Sequence, residues 1–240
     1  MVDKCVGVLE VLPLELRVCI HNMPRLTGVE MYTGVFFDFD GVILDSVDIK
    51  TQAFAALFEP YGQEVQRLVV EYHLAHGGVS RFEKFKYFFN IILQQELSEV
   101  AAQYLGERFN SLVFEGILAA PFVPGALESL EALRDRGIPA FVVSGTPEDE
   151  LREIVKQREL DGFFREVHGS PRLKDVIVGD VLLRYGLRPY ECILVGDAMT
   201  DYVAAKACSV PFLGIVKDAH SSPFPTGTRV SEVVDLFYDA

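Results

Sequence analysis

The sequence predicts an α/β protein, a doubly wound parallel sheet with an α-helical insertion after its first strand. Three observations point there. The run GVFFDFDG at 34–41 is short, apolar, and ends in acids and a glycine, as a strand buried in a parallel sheet does. Residues 48–118 carry helical periodicity and little strand character. Beyond Pro124–Gly125, apolar runs alternate with helical stretches, the pattern of βα units with right-handed crossovers.

In order along the chain, residues 1–32 form an N-terminal extension with three open readings: an extra strand pair, a disordered leader, or sequence upstream of a start at Met31. The core is expected at 33–46 and 119–240, with the helical insertion at 47–118. Within the insertion, Ile49, Ala53 and Leu57 recur at i, i+4, i+8, and Phe82, Phe85 and Phe89 at i, i+3, i+7. Ser80 with Glu83 three residues on reads as a capping box, and Ser98 as the cap of the next helix. The core then reads as helix 126–136, strand PAFVVS, helix 147–159, FFREVHG, helix 173–185, CILVGD, helix 199–208 and VPFLGIV.

The chain has 240 residues, enough for a packed core without disulfide or metal staples. Its 35 acidic against 22 basic residues give a net charge of −13, which disfavours nucleic-acid binding. The cysteines Cys5, Cys19, Cys192 and Cys208 show no zinc-site spacing and read as buried, reduced thiols of a cytoplasmic protein. No apolar run is long enough to span a membrane, and charges interrupt residues 1–20, so they make no signal-peptide core.

Ligands of open parallel sheets bind at the carboxyl ends of the strands. The first strand ends Asp38-Phe39-Asp40-Gly41. Residues i and i+2 of a strand face one side, so both carboxylates are expected to project towards one point. A divalent cation relieves their repulsion. Few hard oxygen ligands suit Mg2+, which takes a substrate phosphate as a further ligand. Gly41 allows a sharp turn or a close approach to a ligand. Ser144-Gly145-Thr146 ends the second strand and offers O–H and N–H donors to an anion. Asp197 sits at the mouth of a later helix, with Asp201 in its first turn, and Lys174 supplies a point charge for phosphate oxygens.

The set FFDFDGVILDS, VVSGT, Lys174 and VGDAMTD resembles the four ordered motifs of the haloacid dehalogenase superfamily over roughly residues 33–217. The insertion is similar to the small helical cap of its phosphoglycolate phosphatase and β-phosphoglucomutase branch. The resemblance implies a Rossmann-like core under that cap. It implies a nucleophile at Asp38, which becomes an aspartyl-phosphate, and an acid and base at Asp40. Ser144, Lys174 and backbone N–H groups would neutralise the phosphoryl charge. The Mg2+ ligands would be Asp38, the main-chain carbonyl of Asp40, and Asp197, with Asp201 binding through water or orienting Lys174. An Asp at position 40 separates phosphate-ester chemistry from the dehalogenase and phosphonate-cleaving branches.

HGGVSRFEKF resembles the cap segment whose arginine, in β-phosphoglucomutases, meets a non-reacting phosphate. Arg81 is thus the candidate for a second anionic group on the substrate. A mutase carries His where this chain has Lys50, and Glu-Asp where it has Gly196-Asp197. The expectation is a phosphatase for a small phosphorylated metabolite of phosphoglycolate or sugar-phosphate type. A phosphomutase and a non-catalytic scaffold are the rivals. Lys50 is a further candidate for substrate contact. Arg172 is a nearby rival to Lys174, and Asp45 reads as a hydrogen-bonding residue at the hinge. His73 and His76 read as polar surface, and the phenylalanines of 82–89 as the core of the insertion.

Overall fold

The computed structural model describes residues 32–237. The expectations for the extension at 1–32, apart from Tyr32, and for Cys5 and Cys19 lie outside the described residues. The sheet has six strands: β1 (Gly34–Phe37), β2 (Ala140–Pro147), β3 (Glu166–Ser170), β4 (Cys192–Gly196), β5 (Phe212–Ile215) and β6 (Val230–Ser231). They pair in parallel throughout, in the order β3-β2-β1-β4-β5-β6. After β1 the chain runs outward on one side through β2 and β3. It then returns to the other side of β1 for β4, β5 and β6. That reversal separates the loops after β1 and β4 and opens a crevice at their carboxyl ends.

Both central strands are buried along their whole length, which is why they read as continuous apolar runs. Four core helices follow the alternation read in the sequence: α5 (Ala126–Asp135), α6 (Glu148–Gln157), α7 (Lys174–Tyr185) and α8 (Met199–Ala207). On one face Phe36 stacks on Phe141 at 5.3 Å, and Ile177, Val178 and Val181 of α7 join them in one buried cluster with Ala204 and Ala205 of α8. β2 runs past the expected end at Ser144. Its register against β3 shifts between Val143 and Pro147, so Ser144-Gly145-Thr146 lies on the irregular end of the strand. The two-residue β6 left no signal in the sequence, being too short to show a period.

Between β1 and α5 come α1 (Val47–Phe58), α2 (Gln63–Ala75), α3 (Arg81–Tyr87) and α4 (Glu99–Ala119). Their interior is aromatic. Phe54 lies 4.5 Å from Phe109, 5.7 Å from Phe88 and 5.9 Å from Phe85. The buried line of α1 is Ala53, Phe54 and Phe58, whereas Ile49 and Leu57 are half-buried. Phe82 is likewise half-buried and Phe88 takes its place inside. Arg81, Lys84, Phe85, Phe88 and Phe89 are buried at i, i+3, i+4, i+7 and i+8 of one helical face, and Phe82 falls beside it; Phe88–Leu93 itself winds as a π-helix.

Ser98 caps α4 by accepting from the Ala101 N–H at 3.2 Å. Ser80 stands at the N-cap of α3 but forms no capping box. Its hydroxyl donates to Ser170 Oγ at 3.4 Å, and Glu83 pairs with Lys86 at 2.7 Å. Cys192 is a buried free thiol and Cys208 a half-buried one. No helix among the described residues is long and apolar enough to cross a membrane.

Phe58 has 0% exposure and meets Phe88 at 5.1 Å and Phe85 at 6.5 Å without lining the cavity described below. Phe58→Ala is expected to lower unfolding stability in urea by about 3–5 kcal/mol, the range for a large buried aromatic. A loss below about 1 kcal/mol would contradict this packing.

Candidate active site

The crevice beyond β1, β2 and β4 opens into a cavity of about 170 Å³. Asp38, Asp40, Ser144, Gly145, Thr146 and Asp197 line it from the sheet side. Lys50, Arg81 and the Gly77-Gly78 loop close it from the inserted helices.

β1 stops at Phe37, one residue before Asp38. The chain then turns: Ile43 and Leu44 donate backbone bonds to the Phe39 carbonyl, and Gly41 donates to that of Leu44. The carboxylates of Asp38 and Asp40 therefore do not project as neighbours on one strand face. Asp38 Oδ2 lies 2.8 Å from Lys174 Nζ, and its Oδ1 accepts from the Phe39 N–H at 2.7 Å. Asp40 is held by a different set. Its Oδ2 pairs with Lys50 Nζ and accepts from Thr146 Oγ1 at 2.9 Å, while its Oδ1 accepts from Ser46 Oγ at 2.6 Å. Lys50 also donates to Thr146 Oγ1 at 2.8 Å. Burial alone would raise the Asp40 pKa, but Lys50, Ser46 and Thr146 together bring it below the usual carboxylate value.

Lys174 begins α7 and is buried between two acids, with Asp201 Oδ1 at 2.6 Å on its other side. Asp201, in the first turn of α8, spends its Oδ2 on the Ala198 N–H at 3.2 Å. Both its oxygens are thus engaged, and it orients Lys174. Burial pulls the lysine pKa down, but the charges of Asp201 and Asp38 more than reverse this and leave it above the usual value. Arg172 instead pairs with Asp180 at 3.1 Å.

Oxygens of Asp38, Asp197 and Asp201 all fall within 4.8 Å of one another. Burial, then the negative charge of Asp38 and Asp201, raises the Asp197 pKa well above the carboxylate range. Burial and Asp38 push Asp201 up to about 7. Three clustered carboxyl groups, two buried and one half-buried, stand beside one ammonium that pairs with two of them, an arrangement that suits a cation. The all-oxygen donor set suits a hard cation such as Mg2+.

Two glycines make this crowding possible. Gly41 has φ +78°, and a Cβ there would fall 2.3 Å from Asp197 Oδ2. At Gly196 a Cβ would meet the Asp201 Cβ at 2.2 Å. Gly41 accommodates the acids rather than lining the cavity. Gly145 has a related part on the other wall, where a Cβ would sit 2.3 Å from the Gly78 carbonyl oxygen. Thr200 Oγ1 donates to the Gly77 carbonyl at 3.1 Å, pinning the same loop. Ser144, almost fully buried, accepts from the Thr146 N–H at 3.2 Å.

Arg81 lines the cavity but is committed: it pairs with Glu150 at 2.7 Å and lies over the Phe109 ring at 4.5 Å. His73 is buried rather than on the surface, and bonds to a buried lysine, Lys84. His76 is exposed and stacks on Tyr72 at 3.8 Å. Asp45 is exposed, and its carboxylate pairs with Lys217 at 3.7 Å. The sequence reading missed Ser46, Lys84 and Glu150 at this site. Lys84 did carry a signal, standing three residues after Arg81 and so on the same helix face. Glu150 carried none, since its partner is 69 residues away.

The chain is 24% identical over 194 residues to a phosphoglycolate phosphatase of Pseudomonas fluorescens, covering 79% of this chain and 68% of that protein. It is 25% identical over 189 residues to a 5'-nucleotidase of Pseudomonas aeruginosa, covering 77% and 82%. A crystal structure of CbbY from Rhodobacter sphaeroides with xylulose-1,5-bisphosphate shares the fold at a TM-score of 0.66 and 14% identity, over 85% of this chain and 95% of that one. A family model described as haloacid dehalogenase-like hydrolase matches residues 32–209. Every carboxylate and cation placed around the cavity above falls inside that span, and the chain belongs to the haloacid dehalogenase-like hydrolases.

Proposed function

We propose that this hydrolase is a Mg2+-dependent phosphatase for a small phosphate monoester, acting through an aspartyl-phosphate at Asp38. The observation that carries the reading is the buried Asp38 carboxylate at the end of β1. It is clasped by Lys174 and grouped with Asp197 and Asp201 where the cavity opens. The similarity to phosphoglycolate phosphatases supports the substrate class.

An Asp38 oxygen attacks phosphorus, the P–O bond to the alcohol breaks, and the leaving alkoxide takes a proton from Asp40. Water then attacks the acyl-phosphate and gives its proton to Asp40, which frees inorganic phosphate and the Asp38 carboxylate. Lys50 and Thr146 hold Asp40 ionised before substrate arrives. A phosphoryl group placed beside it brings negative charge, which raises a carboxyl pKa towards the protonated form the first step requires. Lys174 and Ser144 face the phosphoryl oxygens. Asp38, Asp197 and the Asp40 carbonyl would hold Mg2+, with Asp201 fixing Lys174. The ion would add positive charge at the phosphoryl oxygens. The helices α1–α4 serve as the cap that excludes water and reads the rest of the substrate.

A phosphomutase is less well supported. With the backbone as it stands, a glutamate at position 196 would run into Asp201, and Lys50 occupies the place of a mutase histidine. Incubation with β-glucose 1-phosphate and a bisphosphate activator separates the two, since isomer formation would favour the mutase.

A screen of phosphorylated metabolites with Mg2+ is expected to show phosphate release that EDTA abolishes. In that assay Asp38→Asn falls to background while its melting temperature stays near wild type. Substantial turnover in this variant would remove Asp38 from its role. Asp40→Asn is expected to lower kcat by ~10²–10⁴, the usual worth of a positioned acid–base group. Unchanged kcat would show that protons move by another route.

A further inference from the structure

A second polar cluster lines the cavity beside α2 and α3, and the reaction above does not use it. Lys84 is 3% exposed. Its ammonium lies 2.9 Å from His73 Nδ1, 3.5 Å from the His73 carbonyl oxygen and 5.6 Å from the centre of the Phe54 ring. The other cations at or beside the cavity are each paired with a carboxylate. Lys50 has Asp40, Arg81 has Glu150, and Lys174 has Asp38 and Asp201. Among the described residues no carboxylate pairs with Lys84; its polar partners are those of His73.

His73 sharpens the point. Burial first, then the charge of Lys84, pushes its pKa down to about 3, so the ring is neutral. Nδ1 faces the Lys84 ammonium and accepts from it, so the ring proton sits on Nε2. Nε2 is buried and has no hydrogen-bond partner. A buried ammonium without a counter-ion thus stands beside a buried N–H without an acceptor, both on the wall of one cavity. Polar groups placed so are costly unless something completes them. What completes two donors is an anion.

We propose that Lys84 and His73 form a subsite for a second acidic group on the substrate, a carboxylate, while Arg81 holds Glu150 and shapes the wall. This rests on the phosphatase reading and narrows it to short phosphorylated acids. Burial, then the charge of Lys50, lowers the Lys84 pKa to about 7, and an acid bound beside it favours the protonated lysine.

Binding decides this without turnover. Calorimetry on the full chain with Mg2+ would compare 3-phosphonopropionate with 3-hydroxypropylphosphonate, which differ only in the carboxylate and have no P–O–C bond to hydrolyse. Wild type is expected to bind the acid at least about tenfold more tightly, the scale of hydrogen bonds to charged groups. Lys84→Met loses that factor for the acid and stays within about threefold for the alcohol, whereas Lys84→Arg keeps most of the preference. Should Lys84→Met fail to fold, Lys84→Gln is expected to lose the same factor. Equal binding of both compounds by wild type, or a Lys84 variant that weakens both alike, would overturn the subsite alone. Binding of neither compound would overturn it together with the phosphoryl-transfer reading.

Discussion

Lys174, buried between Asp38 and Asp201, is the contact on which the rest of the site depends. Ionised carboxylates out of water are costly unless paired. Here three carboxyl groups crowd at the ends of β1 and β4, and the single ammonium of Lys174 joins Asp38 to Asp201. The sheet order makes this meeting possible, because β1 and β4 are neighbours although 155 residues separate Phe37 from Cys192. The missing Cβ atoms of Gly41 and Gly196 make it sterically feasible. The charge left over after Lys174 is the physical reason a hard cation suits the place.

Asp40 obeys a separate arrangement. Lys50 reaches it from α1, Thr146 from β2 and Ser46 from the turn before α1, so Asp40 is bound by both the sheet and the inserted helices. A displacement of α1 relative to β2 would change its partners. The close approach of Gly145 to Gly78, and the bond from Thr200 to Gly77, tie the same two parts together on the opposite wall. In the proposed reaction, proton transfer and access to the cavity would therefore be coupled through one set of contacts.

Much of this was legible in the residues. The parallel sheet announced itself because its central strands are buried on both faces and so read as unbroken apolar runs. Asp38, Asp197 and Lys174 could be found because each sits at the junction of a strand or helix end with a loop. The aromatic interior of α1–α4 was visible as composition, but its buried face was not. Two polar residues, Arg81 and Lys84, occupy that buried face beside Phe85 and Phe88, so apolar residues alone do not mark it. Paired roles were hidden for a different reason. Arg81 looked like a free anion binder because nothing local reveals that Glu150 neutralises it. His73 looked like surface because its partner Lys84 lies on another helix. Side chains whose meaning lies in a distant partner leave no mark on their own neighbourhood in the chain.

The most direct measurement is chemical trapping of the covalent state. The full-length protein, mixed with a turned-over phosphate ester and Mg2+ and quenched into borohydride, should yield a peptide in which residue 38 has been reduced from aspartate to homoserine. The same treatment without substrate should leave Asp38 intact. Hydrolysis that proceeds while residue 38 is never modified, or with the label on another carboxylate, would contradict the account.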